Sequence, residues 1–260
     1  MDPLLPSAPL DAWHTARDTA VWGSHGIASL RSTTWLTESP ARVPGIAGLW
    51  RRHHETIVGD GVHVLDLRAQ AEGSIRLELG ESLLADHSLL VAFARDGELA
   101  LRVFDSDPIR TKHTSRLERY GFDASWAVQG SFAPFETAVT LPSVAVDGHQ
   151  STARFDGEIT FTAPDGVTYT LLVRWDGGNY FAPFADATVA DARYRFRMMR
   201  IVPETDGDQK AAAPVTVDFN RAYLPPSAFS PGYVCVMPPA ANVLPVRIEA
   251  GEKHVALLPL

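Results

Sequence analysis

Apolar and polar side chains alternate with a period of two through much of this chain. Ile75, Leu77 and Leu79 alternate with Arg76 and Glu78, and Leu99, Leu101 and Val103 with Ala100 and Arg102, behind the pair Asp96-Gly97. A strand sends successive side chains to opposite faces, so each run predicts a half-buried strand. The clearest pair comes later. Ile159 and Phe161 alternate with Glu158, Thr160 and Thr162, and the tripeptide Pro164-Asp165-Gly166 follows. The chain then returns with Val167, Tyr169, Leu171, Val173 and Trp175 on one face. Proline presets φ and glycine accepts positive φ, so the tripeptide predicts a turn and the two runs a hairpin. Val215, Val217 and Phe219 predict a late strand, and Tyr194, Phe196 and Met198 another. Residues 82–91 are apolar but short, and suit strand or helix. Helical spacing is clear only once. Asp11 precedes residues 12–22, where Trp13, Ala16 and Ala20 share a face with Arg17 and Asp18 off it. This predicts a helix capped by Asp11 that packs its tryptophan against a sheet.

Many short strands with regularly spaced turns imply a mainly β fold, with barrel- or sandwich-like antiparallel sheets and an N-terminal helix. Proline and glycine are spread throughout, with no low-complexity linker and no solenoid repeat. The chain reads as a single compact unit over residues 1–260. A weak seam at residues 105–110 separates subregions 1–108, the helix and a small β region, and 109–260, the main β region. Residues 204–214 read as a loop, either a lid or an inert insertion.

Composition narrows the functions. Of 260 residues, 45% are apolar and 21% charged, which suits a sizeable core and argues against disorder. A net charge of -8 argues against nucleic acid, whose binding depends on cations that neutralise phosphates. The lone cysteine, Cys235, excludes an intramolecular disulfide and argues against a thiolate zinc cluster. The start lacks a basic, apolar leader, and no apolar run reaches the roughly 18 residues a membrane span needs. The expectation is a soluble cytoplasmic protein with no membrane partner; nothing in the sequence sets its oligomeric state. Dinucleotide, P-loop, HExxH and GxSxG patterns are absent. His53 and His54 would point to opposite faces of a strand, so they predict no shared metal. The cofactor stays unknown. A split-barrel flavin protein would suit the β content, although no residue pattern demands a flavin.

One set of runs is more specific. It comprises Phe181-Ala182-Pro183-Phe184-Ala185-Asp186-Ala187-Thr188, then Arg193-Tyr194-Arg195-Phe196, then Val217-Asp218-Phe219-Asn220-Arg221-Ala222-Tyr223-Leu224-Pro225-Pro226-Ser227, and finally Ile248-Glu249-Ala250-Gly251-Glu252-Lys253. Trp13 with Arg17-Asp18, Thr34-Trp35-Leu36 and Leu101-Arg102-Val103-Phe104-Asp105 extend it toward the N-terminus. Together they resemble the bacterial and archaeal family known as domain of unknown function 1684. The resemblance implies a mostly β fold and no particular reaction. It also implies glycines between Thr188 and Phe196 and a cysteine at position 227. This chain has no glycine there and carries Ser227, so a role needing two thiols is excluded.

The candidate site grows from these runs. On a strand, Asp218 and Asn220 would share a face. A carboxylate and an amide so placed bind a polar ligand together, or anchor the turn before Pro225-Pro226. Phe184 and Asp186 would form a pocket wall or an aromatic-packed turn, extended by Trp175, which also suits a core position. Ser227 is a nucleophile only with a base beside it, and His254 is the nearest in sequence. His113 is a second candidate base or a solvated loop residue. Cys235 reads as a small hydrophobe, and Glu252-Lys253 as a surface pair unless buried. The leading expectation is a small, anionic ligand held in a pocket at one end of the β-fold. There Asp218 would be the general base, Arg221 would grip the anion, and Asn220 and Tyr223 would orient it, with Phe184, Asp186, Trp175 and Ser227 as further contacts. A metal-free lyase, isomerase or hydrolase fits. The alternative is a noncatalytic binding or scaffold module whose C-terminal motif residues form a structural lock; whether the protein is an enzyme stays open.

Overall fold

The computed structural model describes residues 8–62, 74–85, 87–105, 115–190, 194–204 and 211–257. Contacts divide the chain into two compact units, residues 1–17, 115–228 and 234–259 in one, and 18–114, 229–233 and 260 in the other. Among the described residues no helix is long and apolar enough to cross a membrane.

Helix α1 (Leu10–Trp22) opens the described chain. Asp11 lies inside its first turn, where a carboxylate still complements the helix dipole, and not at the capping position. The inward stripe is Trp13, Arg17 and Val21, at 3%, 1% and 0% exposure. The expected stripe through Ala16 and Ala20 is therefore rotated, and Arg17 lies inside it.

The smaller unit holds β1 (Leu30–Leu36), β2 (Leu49–His53), β3 (Thr56–Asp60), β4 (Ile75–Leu77), β5 (Ser82–Ala85), β6 (Ser88–Arg95) and β7 (Glu98–Asp105). They form an antiparallel sheet in the order β1-β7-β6-β5 and a second in the order β2-β3-β4. Asp96 and Gly97 both take positive φ, 50° and 82°, as a two-residue turn between twisted strands requires. The ambiguous residues 82–91 resolve into strands β5 and β6. The run from Ile75 stops at Leu77, leaving Leu79 60% exposed. His54 turns left-handed at φ 56°, which brings its ring to 4.6 Å from that of His53. The opposite-face expectation fails because the strand ends between them.

The larger unit holds β8 (Ser115–Arg119), β9 (Ala127–Val144), β10 (Gln150–Thr162), β11 (Thr168–Trp175), β12 (Tyr180–Phe184), β13 (Arg197–Ile201), β14 (Ala213–Asp218) and β15 (Glu252–Leu257). Six of them make one antiparallel sheet, β13-β12-β11-β10-β9-β14. A bridge between Pro203 and Val215 joins its two edges, so the sheet nearly closes into a barrel. Its interior is packed with Phe132, Ile159, Leu171, Val173, Tyr180 and Phe184. β8 and β15 form a separate two-stranded ribbon. The β10–β11 hairpin closes at residues 163–167 as the sequence predicts; Gly166 has φ 80° and Asp165 accepts from the Val167 amide at 2.9 Å. Between Phe155 and Gly157 the β9–β10 register slips, with Phe155 opposite Val139 and Gly157 opposite Pro134. Beyond that bulge the two strands continue as a ribbon without β11.

Two expected strands are shortened. Tyr194 and Phe196 precede β13, which starts at Arg197. β14 ends at Asp218, and residues Phe219–Arg221 form a 3-10 turn. Asp218 and Asn220 thus do not share a strand face. The Asp218 carboxylate accepts from the Asn220 amide at 3.0 Å and ends the strand there.

Candidate functional site

The family-like C-terminal residues are consumed largely in holding the segment after β14. Asp186 follows β12 and is 2% exposed. It accepts from the Thr188 amide at 2.7 Å and from Arg197 Nη2. Arg197 faces the barrel interior, 5.3 Å from the Phe184 ring, and donates to the carbonyls of Ile248 and Ala250. Phe184 itself is fully buried, a core residue with no face toward solvent. Arg17 grips Glu252 with two bonds, Nε to Oε1 at 2.8 Å and Nη2 to Oε2 at 3.1 Å. It also donates to the Leu224 carbonyl, while Glu252 accepts from the Leu224 amide. Tyr223 is 7% exposed, lies under the Arg17 guanidinium at 5.1 Å and packs with Trp13. Asn242 donates to the carbonyls of Leu172 and Pro183 and accepts from the Leu172 amide. Asn220 makes the same reciprocal pair with the main chain of Asp123 and also donates to Asp218.

Asp218 and Arg221 do meet, with Arg221 Nε 2.9 Å from Asp218 Oδ2. They line a hollow of about 300 Å³ with Arg200, Glu204 and Thr216. Arg221 Nη1 is buried there without a hydrogen-bond partner. Phe184, Asp186, Asn220 and Tyr223 do not line this hollow, so the six residues expected to converge are dispersed. Both Asp218 oxygens accept hydrogen bonds, Oδ1 from the Asn220 main-chain and side-chain amides and Oδ2 from Arg221, which hold the carboxylate at the end of β14. Ser227 shares a hydrogen bond with the Tyr194 hydroxyl. Burial pushes the Tyr194 phenol up to about 12, helped by Cys235, while Ser227 and Arg195 pull the other way. A phenol that keeps its proton is no base for Ser227. His254, the histidine nearest Ser227 in sequence, pairs with Glu118 at 3.2 Å. His113 lies outside the described residues, as do residues 205–210 of the expected loop. Among the described residues no three metal-ligating side chains come together.

A larger cleft, about 630 Å³, opens on the face of β12 and β13 turned away from the barrel interior. Ala182, Phe184 and Met199 point inward, so Phe181, Pro183 and Met198 point out and form its wall. Trp175 at the end of β11, Phe155 and Ala153 of β10 and Val236 add to the apolar lining. The opening exists because the β10–β11 ladder stops at Gly157 and Val173. Past that point the Asp156 carboxylate takes the Trp175 amide at 2.9 Å, substituting for a strand neighbour. The other Asp156 oxygen pairs with Arg154 at 2.8 Å. Arg174 sits opposite Phe181, 4.7 Å above its ring, and makes no ion pair with a described residue. The cleft therefore carries one uncompensated positive charge on a chain of net charge -8. Of the eight residues expected to form the site only Trp175 lines it, joined by Phe181 and Pro183 of the family-like run. Arg174 carried no separate signal, because only the register of β11 on β12 puts it opposite Phe181. Its outward phase, between core residues, was the available clue.

A model for a family described as a protein of unknown function, DUF1684, matches residues 112–253, more than half of the chain. The N-terminal runs quoted for the resemblance lie outside that match. An uncharacterized protein of Haloarcula marismortui, solved by solution NMR, is 26% identical; the match covers 53% of this chain and 75% of that one, with a TM-score of 0.43. No curated protein matches.

Proposed function

We propose that this chain, which belongs to the DUF1684 family of proteins of unknown function, binds a small anionic molecule with an apolar body in the cleft walled by Trp175, Phe181, Pro183 and Met198. The observation that carries this reading is Arg174: a guanidinium without a carboxylate partner among the described residues, laid over an aromatic wall. Aromatic surface with a few convergent polar groups is the usual make-up of a small-molecule site, and arginine's planar fork suits a carboxylate or phosphate. The site thus moves from the end of the β-fold, where the motif residues were expected to gather, to the outer face of the barrel. The reading is one of binding: Asp218, Arg221 and Tyr223 do not reach this cleft. In the same reading Asp186 and Asn220 belong to a structural lock, as do Arg17, Arg197, Asn242 and Glu252, since they hydrogen-bond main chain and one another, and Tyr223 joins it by packing under Arg17.

The test is a titration of the intact protein, read by tryptophan fluorescence, with phenylacetate and hexanoate beside their neutral amides. The anions should quench or shift a component that disappears in Trp175→Phe, and should bind at least tenfold more tightly than the amides. Equal binding of anion and amide, or no saturable response, would refute the reading.

A further inference from the structure

We infer that the ligand of this cleft is an amphiphile, with an anionic head at Arg174 and an unbranched alkyl chain that continues into a second hollow. The inference rests on the reading of the cleft given above. The second hollow has a volume of about 180 Å³ and shares two wall residues with the cleft, Ala153 and Phe155 of β10. Its far wall is Met237, Pro238 and Pro239, directly after Val236 of the cleft. The two hollows are thus consecutive along the same pair of chain segments. Residues 235–237 are fixed beside the β9–β10 ribbon, since Val146 donates to the Cys235 carbonyl at 2.9 Å and Met237 to the Val144 carbonyl at 3.0 Å.

Polarity changes sharply from one hollow to the other. The cleft holds Arg154, Asp156 and Arg174, and among the described residues none with an ionisable side chain lines the second hollow. Three of its residues, Pro142, Pro238 and Pro239, have no amide hydrogen to offer. A polar extension of a ligand would lose its water there and find few donors, whereas an alkyl chain loses nothing and removes apolar wall from solvent. Charge at one end and a donor-poor apolar recess at the other is the complement of a monocarboxylate with a linear tail.

The experiment is calorimetric titration of the intact protein with unbranched carboxylates of four to twelve carbons, each kept below its micelle concentration. Affinity should rise about fourfold per added methylene, the gain expected for burying each group, and then level off. Met237→Asp and the exposed Ala240→Asp each place a charge in the second hollow; either should abolish the gain with length and leave butyrate binding unchanged. Two variants guard against one failing to fold, which a melting curve reveals. Carboxylates that bind with no dependence on length, or a length dependence that survives both variants, overturn this inference and leave the anion site standing. Failure of every carboxylate, short or long, removes both. Vesicles of phosphatidylglycerol should not bind; association with vesicles and not with the monomeric acids would also overturn it.

Discussion

Arg17, Asp186, Arg197 and Glu252 are buried charges of the larger unit, at 1%, 2%, 5% and 0% exposure. Ions removed from water are costly unless paired and hydrogen-bonded, and here each meets an opposite charge, with further bonds from the Thr188 and Leu224 amides to the carboxylates and from the arginines to the carbonyls of Leu224, Ile248 and Ala250. The consequence is a strong asymmetry. Arg17→Ala strands Glu252 in the interior and should cost about 3–5 kcal/mol in urea unfolding, whereas Arg17→Met with Glu252→Leu should recover much of it. A single variant within about 1 kcal/mol of the parent would contradict the lock. This pair was hidden from pattern reading. Helical spacing placed Arg17 on the polar side of α1, and its partner lies 235 positions away. Asn220 was visible as a polar residue of interest, but a side chain that imitates a strand neighbour looks in a sequence like one that binds a ligand.

At the scale of elements, alternation identified the strands that bury one face, and turn chemistry identified the hairpins at 96–97 and 163–167. It failed at strand ends, where the Asp218 side chain captures the Asn220 amide and converts a continuing strand into a 3-10 turn. It also could not see the slip in β9 and β10, which frees the cleft by detaching the outer half of β10 from β11. Gly157 marks that slip. A Cβ there would come 2.4 Å from the Phe132 ring and 2.5 Å from the Ala133 carbonyl oxygen. Gly157→Ala should therefore destabilise by about 1–3 kcal/mol through overpacking. Gly178, with nothing within 4 Å of its virtual Cβ, serves as the control, and Gly178→Ala should be neutral or slightly stabilising. Equal effects at the two sites in chemical denaturation would show that the close approach at the bulge carries no weight.

For the whole molecule, alternation made the mainly β architecture legible before any coordinates, and the C-terminal runs made the family resemblance legible. The site was legible only in part: Trp175, Phe181 and Pro183 stood out as wall candidates, but Arg174 belongs to no motif. The cleft arises where two outward-facing strands meet the end of a third, and its charge is a residue left over after neighbouring arginines have found their carboxylates. Arg154 pairs with Asp156, Arg200 with Asp176 and Arg221 with Asp218, while Arg174 pairs with none of the described acids. Two arginines thus compete for the role of anion receptor, Arg174 in the outer cleft and Arg221 in the smaller hollow. The decisive measurement is isothermal titration of hexanoate into the parent protein, Arg174→Ala and Arg221→Ala under one set of conditions. Loss of a charge-assisted contact to the carboxylate, about 1.5–3 kcal/mol, should weaken binding roughly 10- to 150-fold in Arg174→Ala and leave Arg221→Ala at parental affinity. Parental affinity in Arg174→Ala, with the loss appearing in Arg221→Ala, would contradict the assignment.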